Sequence, residues 1–122
     1  MIGYVCLGTN DLPKASAFYD ALFSVIGAKR VWDLERFVGW GQSESSPLLL
    51  LIKPINDAPA TVGNGTMVAL AARSRAEVDA VYHQAMALGA TDEGPLGDRG
   101  ENFYVGYFRD PEGHKLAVYF AG

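Results

Sequence analysis

Cysteine, histidine and clustered positive charge are all scarce in this sequence of 122 residues. A single cysteine, Cys6, excludes an internal disulfide, and with only two histidines, His83 and His114, no Cys/His zinc cluster can be assembled. The 10 Lys and Arg residues never form a run, and the net charge is −4. Nucleic acid and anionic membranes are therefore not expected as partners. The longest strongly apolar stretch, Leu48 to Ile52, is far too short to span a bilayer. Met1-Ile2-Gly3-Tyr4-Val5 lacks the basic and apolar regions of a secretory signal, so a cytoplasmic location is expected. Glycine-rich phosphate loops, a Ser-His-Asp order and an HExxH helix are also missing. What is present, 49% apolar and 20% charged residues, describes one ordinary globular domain.

Within that length the chain reads as one unit written twice. The first copy opens on a β-like run, Ile2 to Gly8, followed by a helical segment from Asp11 to about Ile26. There Leu12, Ala15, Phe18, Leu22 and Val25/Ile26 recur at helical spacing, Asn10 or Asp11 supplies the N-cap, Pro13 sits in the first turn and Gly27 ends the helix. The second copy opens with Thr66 to Ala71 and continues as a helix from Arg75 to about Leu88, with Ser74 and Glu77 as a capping box and Gly89 as the stop. A shift of 63 residues places Val5 on Val68, Leu7 on Leu70, Asp11 on Ser74 and Tyr19 on Tyr82.

Three β-like segments follow each helix: Lys29 to Asp33, Arg36 to Gly41 and Leu48 to Lys53, then Thr91 to Glu93, Asn102 to Phe108 and Lys115 to Phe120. The last two are joined by Asp110-Pro111-Glu112-Gly113, a type I turn by its residues. The expected organisation is α+β: two tandem βαβββ modules, about 1–55 and 66–122, with a Pro/Gly/Asn-rich connector over about 54–65. One helix covers only one face of a four-stranded sheet. Two such curved mixed sheets side by side would enclose a cleft, to be filled by a ligand, a partner chain or large side chains.

Two stretches carry a resemblance. Gly3-Tyr4-Val5-Cys6-Leu7-Gly8-Thr9-Asn10-Asp11-Leu12 followed by Ala17-Phe18-Tyr19 resembles the opening of vicinal-oxygen-chelate proteins, the superfamily of glyoxalase I, bleomycin-resistance proteins and extradiol dioxygenases. Phe108-Arg109-Asp110-Pro111-Glu112-Gly113-His114-Lys115-Leu116 is similar to its closing element. The resemblance spans essentially the whole chain and implies the glyoxalase/bleomycin resistance fold, often as a homodimer. Its enzymes place a divalent metal in the cleft, held by His or Gln on the first strand of a module and Glu on the last. Carried over, those positions are Tyr4, Met67 and Ala117, and Leu48 to Ile52 offers no ligand at any register. Tyrosine is a rare ligand for such an ion, and Met and Ala cannot hold it.

Strand alternation puts Tyr4, Cys6, Met67, Ala69, Ala71, Lys115, Ala117 and Tyr119 on the cleft side. Phe37, Trp40, Phe103, Tyr104 and Tyr107 extend this wall if their strands present them inward. The segment Gly94 to Glu101 reads as a loop at the cleft mouth, with Arg99 either gripping a carboxylate or solvated beside Asp98 and Glu101. Tyr4 and Tyr119 read equally well as core tyrosines, and Cys6 as an inert small hydrophobe. The expected ligand-binding set is Tyr4, Cys6, Trp40, Met67, Ala69, Arg99, Tyr104, Ala117 and Tyr119, with no catalytic residue assigned and no cofactor. The leading expectation is a metal-independent binder of a small, partly apolar or aromatic molecule. Alternatives are a metal-dependent lyase, isomerase or dioxygenase using acids such as Glu35, Glu44, Glu101 or Glu112, and a non-catalytic interaction subunit.

Overall fold

Both helices start where a short polar side chain can take over an unpaired backbone N–H. In a computed structural model describing all 122 residues, Oδ1 of Asp11 accepts the N–H of Lys14 at 3.1 Å, and Oγ of Ser74 accepts that of Glu77 at 3.0 Å. The helices that follow, α1 (Leu12–Ser24) and α2 (Arg75–Ala87), have 13 residues each. Their N-caps stand 63 positions apart, as the duplication requires. Glu77 reaches back to the N–H of Arg73, one residue before the cap, and also pairs with its guanidinium. Gly27 and Gly89 follow the helices at φ of 72° and 97°, a left-handed conformation that glycine adopts without strain.

Eight strands complete the two copies: β1 (Tyr4–Gly8), β2 (Lys29–Asp33), β3 (Phe37–Gly41) and β4 (Leu48–Ile52), then β5 (Val68–Ala71), β6 (Thr91–Asp98), β7 (Phe103–Arg109) and β8 (Lys115–Ala121). They form two four-stranded mixed sheets, ordered β1-β4-β3-β2 and β5-β8-β7-β6. The first strand of each copy lies parallel to the last, and the other pairings are antiparallel. The expected α+β fold of two βαβββ modules is the one observed. The chain divides into two compact units, Met1–Val62 and Gly63–Gly122.

One expectation needs correcting. The first strand after α2 does not stop at Glu93: β6 runs on to Asp98, through most of the segment read as a loop. Two register irregularities, at Asp92/Gly94 and Gly94/Gly97, absorb its glycines and Pro95, so it stays in the sheet as a bulged edge strand.

In the first unit, α1 packs on β2, β3 and β4, burying Phe18, Tyr19, Leu22 and Phe23 against Val38, Trp40, Leu49 and Leu51. In the second, α2 covers β6, β7 and β8 with Val78, Val81 and Ala85 over Phe108, Leu116 and Val118. The β7–β8 turn is held by Asp110, whose backbone C=O accepts the N–H of Gly113 and whose Oδ1 accepts those of Glu112 and His114. His114 is buried in that turn.

Candidate functional site

Each unit has one sheet face covered by its helix and one without a helix, and strand register assigns every residue to a side. In the first unit the Trp40 ring lies 5.8 Å from that of Tyr19 and 5.9 Å from that of Phe23, both on α1. Trp40 pairs with Leu49, and Leu49 with Val5, so this row belongs to the helix side. The alternate rows form the helix-free face: Tyr4 with Leu48, then Cys6, Leu50, Gly39 and Trp32, then Gly8, Ile52 and Phe37.

Three rings converge there. Trp32 stands edge-on to Tyr4 at 5.8 Å and to Phe37 at 6.0 Å. Gly39, which pairs with Trp32 and Leu50, leaves its space to the Leu50 side chain. A Cβ at that position would meet Leu50 Cδ1 at 3.1 Å and Trp32 Cβ at 3.7 Å. Tyr4 and Trp32 stay 56% and 39% exposed, too open for core residues of this size. Cys6 is exposed beside them.

In the second unit the hydroxyl of Tyr104 donates to Asp79 of α2, which fixes Tyr104, Gly106 and Phe108 on the helix side. The helix-free face carries Phe103, Val105, Tyr107 and Arg109 of β7, Lys115, Ala117 and Tyr119 of β8, and Ala69 and Ala71 of β5. Phe103 and Tyr119 stack at 5.3 Å, Ala69 is exposed and Ala117 is buried. Met67, just before β5, is 43% exposed. Arg109 pairs with Glu93 and donates to the carbonyl of Gly113 at 2.8 Å. The Arg109 guanidinium holds the Glu93 carboxyl below its ordinary range, with Lys115 contributing only weakly.

Of the residues expected to line a binding surface, Tyr4, Cys6, Ala69, Ala117 and Tyr119 therefore lie on helix-free faces. Trp40 and Tyr104 do not extend those walls. Both turn to the helix side, where each polar ring atom has a carboxylate partner, Asp20 for Trp40 and Asp79 for Tyr104. The sequence reading missed the position of Trp32, because a bulge between Arg30 and Trp32 sends these two residues to opposite faces. A further recess of about 340 Å³ opens beside Asp20, Arg30 and Trp40, where the Asp20 carboxylate already accepts from both Arg30 and Trp40.

The register also settles which first-unit residue corresponds to Ala117. Cys6 pairs with Leu50 and Ala69 with Ala117, and Cys6 and Ala69 are 63 positions apart. The positions to which the resemblance carries the metal ligands, Tyr4, Met67 and Ala117, are thus completed by Leu50. One phenol, one thioether and two hydrocarbon side chains do not fit a hard divalent ion. Glu35, Glu44 and Glu101 are exposed in turns, and no three His, Cys, Asp or Glu side chains are gathered to replace the missing donors.

No curated protein matches the chain. Solved structures do. A glyoxalase/bleomycin resistance protein from Albidiferax ferrireducens T118 is 33% identical, with 100% of this chain and 99% of that one covered at a TM-score of 0.92. A lactoylglutathione lyase from Agrobacterium tumefaciens is 28% identical, covering 98% of this chain and 92% of its own, at 0.71. TioX from Micromonospora sp. ML1, at 18% identity and 0.72, covers 100% and 99% and shares the fold. The family model for the Glyoxalase/Bleomycin resistance protein/Dioxygenase superfamily matches residues 1–118, and the chain belongs to that superfamily.

Proposed function

We propose that this protein binds a small, partly apolar or aromatic molecule on its helix-free sheet faces, without a metal ion. The observation that carries this reading is the chemistry of those faces. They present the rings of Tyr4, Trp32, Phe37, Phe103, Tyr107 and Tyr119, while the four positions that would hold a metal offer Tyr4, Leu50, Met67 and Ala117. Exposed aromatic surface of this kind gains most by covering a flat apolar group. A homodimer is part of the same proposal, because each sheet ends in strands whose outer edges take no further strand within the chain.

A titration of chelator-treated protein with naphthamide, followed by backbone amide resonances, tests the reading. Shifts should concentrate on Cys6, Ala69, Ala71 and Tyr119, and should not change when divalent ions are added. A stoichiometric divalent ion surviving the chelator, or shifts confined to the helix sides, would overturn it.

A further inference from the structure

Two cationic side chains on the helix-free face of the second unit stand around one ring. Tyr107 of β7 faces Gly94 on β6 and Ala117 on β8. Its ring lies over Gly94, where a Cβ would come within 2.9 Å of Cδ2. Nζ of Lys115 stands 5.5 Å from the ring centre and Cζ of Arg99 stands 5.9 Å from it. Arg99 is folded back over Gly97, with Nη1 3.0 Å from where a Cβ would be, and Nη2 donates to the carbonyl of Pro95 at 2.8 Å. The bulged glycine strand is thus a bed for both the tyrosine ring and the guanidinium.

The acids that could neutralise these cations are engaged elsewhere. Asp98 is paired with Arg75 at 2.8 Å, and Glu93 with Arg109. Neither Arg99 nor Lys115 forms an ion pair with any carboxylate, although the protein as a whole carries a net charge of −4. Two cations outside any ion pair beside one half-buried ring, on the face that also carries the Phe103–Tyr119 stack, form a receptor for an anion with an apolar body.

Building on the proposed binding of an aromatic molecule, we infer that the ligand class is an aryl carboxylate, its carboxylate taken between Arg99 and Lys115 beside Tyr107 and its ring directed toward the half-buried Tyr119 and Phe103. The guanidinium offers a planar fork to the two oxygens, and the ammonium adds a point charge. Holding Arg99 against Pro95 in advance lowers the ordering entropy of binding.

Calorimetric titrations with naphthoate and with naphthamide, alike except for charge, separate this inference from the reading it rests on. Naphthoate should bind about tenfold more tightly than naphthamide, and added salt should erode only that advantage. Arg99→Gln and Lys115→Met should each reduce naphthoate to the affinity of naphthamide, while the control Lys14→Gln, on α1 of the first unit, should leave the preference intact. Equal binding of the two compounds by the wild type overturns the carboxylate inference and leaves aromatic binding standing. A preference that survives in both variants overturns it too, because the charge would then be read elsewhere. Failure of both compounds to bind removes both readings.

Discussion

The indole N–H of Trp40 donates to Oδ1 of Asp20 at 2.8 Å, the same oxygen that receives Nε of Arg30 at 2.9 Å. One carboxylate on α1 therefore satisfies a buried ring on β3 and clamps the edge strand β2. The two roles are unequal. The ion pair is about as open as surface pairs generally are, with 34% of Arg30 and 43% of Asp20 side-chain surface exposed, so solvent screens most of its attraction. Trp40 is 2% exposed, and Asp20 is the acceptor of its N–H.

It follows that Asp20→Ala should destabilise the fold by about 1–3 kcal/mol, most of it from stranding the indole N–H, whereas Asp20→Asn, which keeps an acceptor, should lose clearly less. The Asp20 carboxyl is held below its ordinary value, chiefly by the hydrogen bonds from Arg30, against an opposing effect of burial. A lowered folded-state pKa gives stability that is complete above the unfolded value, about 4, and is lost as pH falls through the lower folded value. Urea midpoints across the acid range should therefore fall more steeply for the wild type than for Asp20→Asn. Parallel curves, or a Asp20→Ala variant as stable as Asp20→Asn at neutral pH, would contradict this account.

At Gly106 on β7 the α2 ring of Tyr82 comes down onto the strand. A Cβ there would stand 2.8 Å from Tyr82 Cδ2 and 3.0 Å from Leu96 Cδ2. Tyr82 cannot simply swing aside, because its hydroxyl is bound to Asp92 on β6. Gly106→Ala should cost about 1–3 kcal/mol by overpacking. The double variant Gly106→Ala/Tyr82→Ala should show a coupling that returns part of that loss. Strict additivity in thermal or urea unfolding would mean the clash lies elsewhere.

The contrast between what was legible in the sequence and what was not follows from two kinds of strand. Where strands are regular, alternation placed side chains on the proper sides: Tyr4 and Cys6 against Val5 and Leu7, and Ala117 and Tyr119 against Leu116 and Val118. Caps and stops were equally readable, since Asp11, Ser74, Gly27 and Gly89 act locally. The bulged strands were not. Arg30 and Trp32 are two residues apart, yet Arg30 pairs with the helix-side Trp40 and Trp32 with Gly39 on the open face. Asp92 and Gly94 split in the same way, opposite Phe108 and Tyr107. A period of two cannot reveal an inserted residue, so the edge strands, which carry Trp32 and the bed for Arg99, escaped it. The glycines at 94 and 97 were the available signal, and they read as a loop instead.

Tyr82 itself gives an alkaline counterpart to the acid behaviour of Asp20. Burial first, and then its hydrogen bond to the Asp92 carboxylate, push the phenol from 10.0 up to about 12. Because the folded state retains this proton longer than the unfolded chain, the associated stability is complete below pH 10 and is lost as pH rises through about 12. Of the 6 tyrosines, Tyr82 should thus contribute a late phenolate signal, resolved as the difference between ultraviolet titrations of the wild type and Tyr82→Phe. Asp92→Asn should move that signal downward but not back to the ordinary value, since burial, the larger cause, remains. Tyr82→Phe should also flatten the loss of stability over the same alkaline range. A difference titration centred near the ordinary tyrosine value would show that the Tyr82–Asp92 contact does not persist in solution, and the anchor invoked for the Gly106 clash would go with it.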